Sequence, residues 1–585
     1  MFKLLKHMKA KDWLLMLLIL AFVVCSVYLT LTLPDYMNKI TSLVQTQGTV
    51  EDIWANGRMM LIIALCDLVC TILTGFLTAR VASSFAFTLR SEIYTKISGF
   101  SMEEISNFST SSLVTRTTND VSQVLMLIGM GLQTILRAPI ILVWALVKIA
   151  NTSSQWTVII IWSSVFVIIL VGSNLLLVTP KFKKIQKLTD DLNRIVRENL
   201  TGVRVVRAYN AEEYQENKFD ETNTKITKNH LFTGRAMAYM MPGMQFCMSC
   251  TSLAVYWLGA FIINGAAPGD RIGLFSNLVV FMAYGIQVIM AFMMMAIIFI
   301  LLPRAQVSAG RINEVLDTKT RIHDGEFDGA TDITGKVEFR NVSFKYPDAE
   351  ENVLTGITFT AEPGETVAFI GSTGSGKSTL VNLVPRFYDV TEGSVLVDGV
   401  DVREYKQHDL HDKIGYVSQK AILFKGTIAS NVDYGEEKDG TASEEKILDA
   451  LTIAQGRDIV EKSADGINSE VAQGGSNFSG GQKQRISIAR AICSDPEIFI
   501  FDDSFSALDY KTDKKLRAEL KKATSSATTL VVAQRIGTVK DADKILVLDE
   551  GRMVGLGTHE ELLENCEVYR QIALSQLSGE ELANA

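Results

Sequence analysis

The segment Gly371-Ser372-Thr373-Gly374-Ser375-Gly376-Lys377-Ser378 holds the densest chemistry in the chain. It follows the apolar run Val367-Ala368-Phe369-Ile370 and leads into Thr379-Leu380-Val381, a pattern that predicts strand, glycine loop and helix in succession. Such a loop closes backbone N–H groups around phosphate oxygens, and the helix N-terminus adds positive potential. Lys377 is then placed for the outer phosphates of ATP and the Ser378 hydroxyl for Mg²⁺. A second apolar run, Glu497-Ile498-Phe499-Ile500-Phe501-Asp502, ends in a carboxylate suited to the same metal shell.

These motifs sit in the second half of a 585-residue chain, too long for one ordinary domain. The soluble α/β part opens with the strand pattern Val337-Glu338-Phe339-Arg340-Asn341-Val342-Ser343-Phe344. The first half instead contains six apolar runs, near 13–33, 59–79, 131–150, 156–178, 240–263 and 272–302. Each reaches the ~20 residues that a helix needs to cross a bilayer core of about 30 Å. Lys3, Lys6, Lys9 and Lys11, with the basic stretches 80–116 and 181–235, lie on one side, which predicts cytoplasmic termini and a cytoplasmic nucleotide domain in the cell (plasma) membrane. The first apolar run is too long for a signal peptide and lacks a small-residue cleavage site. Residues 1–9 are expected to form an amphipathic helix at the inner interface.

The long polar stretches 80–124 and 180–235 carry apolar residues at helical spacing, so the membrane helices are expected to continue into the cytoplasm and turn back at short tips near 106–113 and 208–214. A connecting helix is expected at 307–316. The domain boundaries expected are 1–316, a linker at 317–334, and 335–578. The net charge of −8 gives no basis for a nucleic-acid partner. Of seven cysteines, Cys247 and Cys250 form a lone CxxC inside an apolar run, a weak basis for a metal site.

With Phe478-Ser479-Gly480-Gly481-Gln482-Lys483-Gln484-Arg485, the chain closely resembles the ATP-binding cassette (ABC) family over nearly its whole length. Six spans followed by one cassette resemble an exporter half-transporter: a membrane all-α domain of the type IV kind, then an α/β P-loop ATPase. The loops Asn107-Phe108-Ser109-Thr110-Ser111-Ser112-Leu113 and Glu198-Asn199-Leu200-Thr201-Gly202-Val203-Arg204-Val205-Val206-Arg207-Ala208 match that family's cytoplasmic loops. The resemblance implies that Tyr346 stacks on adenine and that Gln419 touches Mg²⁺ and senses the membrane domain. It also implies that Ser479 and Gly481 cap the γ-phosphate held by the opposite subunit, and that Asp509 contacts the partner's phosphate loop.

Four positions depart from the family pattern. Phe478 replaces the leading Leu of the signature, and Gln473 replaces a Glu shortly before it. Asp503 stands where the family's general base is Glu, shorter by one methylene; a displacement near 1 Å can cost about a hundredfold in rate. Gln534 stands where the family has a switch His, and it donates a hydrogen bond without carrying positive charge. Set against an intact Ser479-Gly480-Gly481-Gln482, these departures predict unequal sites in a heterodimer. This chain's own site would be slow, while its signature would complete the hydrolytic site of a second half-transporter. The expected activity is ATP-driven efflux of small amphipathic or hydrophobic, multidrug-like compounds. An importer on the same fold, a homodimeric lipid or peptide exporter, and a regulatory subunit that binds ATP without transport remain open.

Within the spans, Asp67 and Arg137 are costly charges expected to pair or to meet cargo, whereas Lys148 near an outer end is expected to snorkel. Met237, Met241, Met244 and Met248 share a helical face, and Met290, Met293, Met294 and Met295 cluster in the last span. Such stripes serve packing or lipid contact more often than an adaptable apolar cavity.

Overall fold

The computed structural model describes residues 2–150, 154–267, 269–435 and 442–576. The chain forms two compact units, Met1–Ser98 with Ser109–Thr318, and Gly99–Phe108 with Lys319–Ala585.

Among the described residues, the first unit contains six helices long and apolar enough to cross a membrane: Ala10–Gln45, Val50–Ser98, Thr110–Ala150, Trp156–Thr201, Glu212–Gly265 and Arg271–Asp317. At 1.5 Å per residue the 49-residue helix Val50–Ser98 is about 74 Å long, more than twice the hydrocarbon thickness. Its surplus is the polar stretch that follows the apolar run. The segment expected as a separate connecting helix at 307–316 is instead the end of Arg271–Asp317, which runs through Pro303 unbroken. The change in composition there marks the end of the apolar stretch, not the end of the helix. Likewise, of the expected helix at 1–9, the described residues 2–9 form one helical turn, Phe2–Leu5, before Ala10–Gln45 begins, and Lys3 is paired with Asp317 at 2.6 Å.

The tips also fall a few residues earlier than the spacing predicts. Short helices occupy Met102–Asn107 and Val203–Ala208, while 106–113 spans the junction with the next helix, Thr110–Thr115. Capping decides this: Ser109 receives the N–H of Ser112 and so starts a new helix inside the expected tip. At the second tip Gly202 ends one helix, and Asn210 adopts positive φ between the two that follow.

Polar side chains tie the bundle internally. Asp67 accepts from Ser26 Oγ at 2.5 Å and from Thr30 Oγ1 at 3.3 Å; Arg137 reaches Thr30 at 3.5 Å, so that hydroxyl links it to the carboxylate. Lys148, expected near an outer end, pairs with Asp35 at 2.8 Å, and Tyr284 donates to the other oxygen of Asp35. A π-helical turn, Arg116–Asp120, presents two charges to the last helix. Asp120 accepts from Ser308 at 2.7 Å, and Arg116 binds the Arg311 carbonyl and Glu314, each at 2.8 Å. Met244 is buried with Val167, Cys247 and Ile289, with Met248 and Met293 packed alongside, so part of the methionine stripe is core.

The second unit is built on a six-stranded sheet in the order Arg552–Gly557, Lys544–Asp549, Thr366–Gly371, Thr528–Val532, Ile498–Asp502, Ile414–Val417. All neighbours are parallel except the antiparallel Arg552–Gly557 edge. The inner strands are buried on both faces, hence their continuous runs of Val, Ile, Leu and Phe. A four-stranded antiparallel sheet, which includes the expected strand Val337–Phe344, packs a second apolar layer against them. The tip helix Met102–Asn107 belongs to this unit. Ser101 and Glu104 form a capping box, Glu104 also accepts the Arg321 N–H at 3.1 Å, and Glu103 pairs with Arg321 at 2.8 Å.

Candidate functional site

Parallel register is what assembles the site. Val532 lies opposite both Phe369 and Asp502, and Val417 lies opposite Phe501, so four strands release their loops at one edge of the sheet. Ligands of open parallel sheets bind at that carboxyl edge.

The phosphate loop follows the strand Thr366–Gly371 and ends on the helix Lys377–Val381. Gly376 caps that helix at φ +95°, where a β-carbon would also approach Leu354 to 2.7 Å. At Gly371 a β-carbon would run into the Leu548 carbonyl at 2.0 Å, so both positions require glycine. Lys377 is buried, and its ammonium donates to the carbonyls of Gly371 at 2.9 Å and Ser372 at 2.7 Å. Burial lowers its pKa, while Asp503 and Asp502 pull the other way. Ser378 donates to Asp502 at 2.7 Å. Burial raises the pKa of Asp502, Asp503 adds to that rise, and the Ser378 hydrogen bond and Lys377 oppose it. A hydroxyl and a carboxylate on adjoining elements are hard oxygen donors that fit Mg²⁺, and such an ion draws charge from phosphate oxygens when bound. Tyr346 stands beside the loop, its hydroxyl 3.0 Å from that of Thr379 and its ring edge-on to Tyr388.

The three candidate catalytic side chains meet at one atom. Asp503, buried and in the left-handed region at φ 47°, accepts on the same oxygen from Gln534 at 2.9 Å and from Gln419 at 3.2 Å. The positive φ turns the chain sharply after Asp502, and the Asp503 N–H bonds back to the Val532 carbonyl at 3.0 Å. Two amide N–H groups therefore engage the carboxylate expected to act as base. Gln419 faces Asp503 by this contact, alongside its expected metal role.

The signature lies apart from this cluster. Ser479 caps the helix Gly480–Cys493 in a complete capping box with Gln482, and its hydrogen bonds stay within that turn and its own helix. The N–H groups at such a helix start favour an anion, the role expected of the signature. Phe478 packs against the core beneath, which suits its aromatic ring as well as a leucine. Asp509 caps the helix Tyr510–Ala523 through the Thr512 N–H, and that bond lowers its pKa. Gln473 sits in a short turn with Gly474 and Gly475, held by Lys483 on the Gly474 carbonyl at 2.9 Å.

One connection escaped sequence reasoning. Gln484, buried in the signature helix, donates to the Ser418 carbonyl at 3.3 Å, next to Gln419. A polar residue on the buried face of that helix was its visible signal.

Comparison with known proteins follows the same division. Residues 14–292 match the ABC transporter transmembrane region and residues 354–506 the ABC transporter domain. An uncharacterized ABC transporter ATP-binding protein of Mycobacterium tuberculosis is 39% identical over 570 residues, 96% of this chain and 95% of the relative. An ATP-dependent lipid A-core flippase of Bordetella avium is 31% identical over 88% of this chain and 86% of its own length. A bacterial Atm1-family ABC exporter solved with ATP bound shares the fold, with a TM-score of 0.77 over 96% of this chain and 97% of that one at 23% identity. With a nucleotide cassette joined to six membrane-length helices, the chain belongs to the ABC transporter family and is an ATP-driven, multi-pass membrane transporter.

Proposed function

We propose that this chain is one subunit of a heterodimeric exporter of amphipathic compounds, with a slow ATP site of its own and a signature that serves its partner's site. In this reading residues 1–316 form the membrane domain, 317–334 a linker and 335–578 the cassette, in the plasma membrane with both termini cytoplasmic. Residues Gly371 to Thr379 cradle the phosphates of ATP, Tyr346 faces adenine, and Ser378, Asp502 and Gln419 hold Mg²⁺. Ser479 to Gln482 and Asp509 act across the dimer.

The single observation that carries the asymmetry is the double engagement of Asp503. A general base must lie within hydrogen-bond reach of the water it activates. The short Asp503 side chain already accepts from Gln534 and Gln419 on one oxygen, and Gln534 brings no positive charge to a developing phosphate anion. The signature turn, by contrast, keeps its full capping geometry. An amphipathic cargo is supported by the likeness to lipid A-core flippases.

The same Asp503–Gln534 bond favours one other reading. The shorter acid is met by a neutral donor, so the two form a compensated pair that could work in a homodimer. Affinity purification of the tagged chain from its native membrane decides between them. The heterodimer reading expects a second half-transporter in equal amount, with Glu and His at the positions corresponding to Asp503 and Gln534. Recovery of this chain alone, as a dimer that hydrolyses ATP, would refute it.

A further inference from the structure

Gln534 is only as well placed as the backbone that carries it. The strand before it is fixed, because the Ala533 N–H bonds to the Phe369 carbonyl at 3.1 Å. Beyond that point the chain leaves the sheet. Ile536 is buried, but Arg535, Gly537 and Thr538 line a cavity of about 660 Å³, floored by Phe501, Phe505 and Leu520. On that side the loop lacks close packing, which would otherwise lock its position.

Two side chains from separate helices hold it. Gln576, in the last turn of Glu567–Gln576, donates from Nε2 to the Gln534 carbonyl at 2.9 Å and accepts the Ile536 N–H on Oε1, also at 2.9 Å. One amide thus grips the backbone on both sides of Arg535, as a neighbouring strand would. Arg517, from Tyr510–Ala523, donates to the Gly537 carbonyl at 2.6 Å. Its guanidinium is itself fixed by two 3.1 Å hydrogen bonds to the buried Asp513. Both clamps are remote in sequence from the loop and belong to none of the nucleotide motifs.

We propose that Gln576, assisted by Arg517, is a positioning residue for the switch: it sets the height of the Gln534 backbone and so the reach of the Gln534 amide to Asp503 and to a bound terminal phosphate. This rests on the reading of Gln534 as the phosphate contact. Gln576 does not touch nucleotide. Without it the loop settles toward the cavity, and the 2.9 Å bond to Asp503 does not survive a shift of about 1 Å.

The test uses the full chain, with whatever partner co-purifies, in lipid nanodiscs. Radiolabelled ATP with Mg²⁺ is bound and chased with unlabelled ATP, and the half-time of retention on this chain is read for wild type, Gln534→Ala, Gln576→Leu, Gln576→Glu and Gln534→Ala/Gln576→Leu. Gln576→Glu keeps an acceptor for the Ile536 N–H but loses the donor to Gln534, which separates backbone positioning from helix stability. Loss of the clamp is expected to shorten retention about threefold to tenfold in both Gln576 variants, as for one or two hydrogen bonds, with the melting temperature held. In the double variant the Gln576 change is expected to add nothing to Gln534→Ala. Normal retention in both Gln576 variants beside a shortened Gln534→Ala would overturn the clamp and leave the phosphate role of Gln534 standing. Unchanged retention in Gln534→Ala would instead remove that role. Effects that multiply in the double variant would show that Gln576 acts by another route, and would also overturn the proposal.

Discussion

At the scale of the residue, the site is a small set of charges held in a dry place. Burial lowers the pKa of Lys377 and raises that of Asp502, so each resists the charge it must carry. The folded-state pKa of Asp502 lies above the unfolded value, so protonation stabilises the fold, and that gain is lost as pH rises through the folded value. Without nucleotide, Asp502→Asn is therefore expected to melt above wild type at pH 7.5. The gap should close as pH falls below the ordinary aspartate value of about 4, while binding of ATP with Mg²⁺ is lost throughout. Thermal melts across pH, with and without Mg²⁺-ATP, check both halves of this expectation; an equal gap at every pH would contradict it. The Ser378–Asp502 contact was legible in the sequence because each residue ends a recognisable motif. The meeting of Asp503 with Gln419 and Gln534 was not, since those amides lie 84 and 31 positions away and only the sheet brings them together.

At the scale of the element, strand order does the positioning, and sequence patterns show strands far better than order. The apolar runs marked Thr366–Gly371 and Ile498–Asp502 plainly, but nothing local states that Thr528–Val532 lies between them. Helix ends were read less well. Apolar spacing continues across a capped break, so the tips were expected at 106–113 and 208–214, whereas the Ser101–Glu104 box starts a helix at Met102. That box carries a prediction of its own. Burial opposes ionisation of Glu104, but the Ser101 and Arg321 hydrogen bonds outweigh it and hold its pKa below the usual carboxylate value. A lowered folded pKa stabilises above the unfolded value and is lost as pH falls through the folded one. Glu104→Gln is accordingly expected to cost about 1 kcal/mol at neutral pH, a fall in melting temperature of ~2–4 °C, converging with wild type below about pH 4. Calorimetry of the full chain measures it, and a constant offset down to pH 3 would contradict it.

At the scale of the whole molecule, the six membrane-length helices were legible because length and apolarity alone define them. Their internal ties were not. Nothing in the sequence pairs Lys148 with Asp35, or shows that Thr30 links Arg137 to Asp67, because facing helices choose those partners. The proposed division of labour between two ATP sites would likewise be a property of an assembly; its support in this chain is the crowded Asp503 beside an intact Ser479 turn. The central claim is that this chain catalyses through its signature while its own site mainly holds ATP. Steady-state ATPase of the purified complex, comparing Asp503→Ala with Ser479→Arg in this subunit, tests it most directly. The account predicts that Asp503→Ala keeps turnover within about threefold of wild type, while Ser479→Arg lowers it by on the order of a hundredfold. Equal losses from the two substitutions would contradict it.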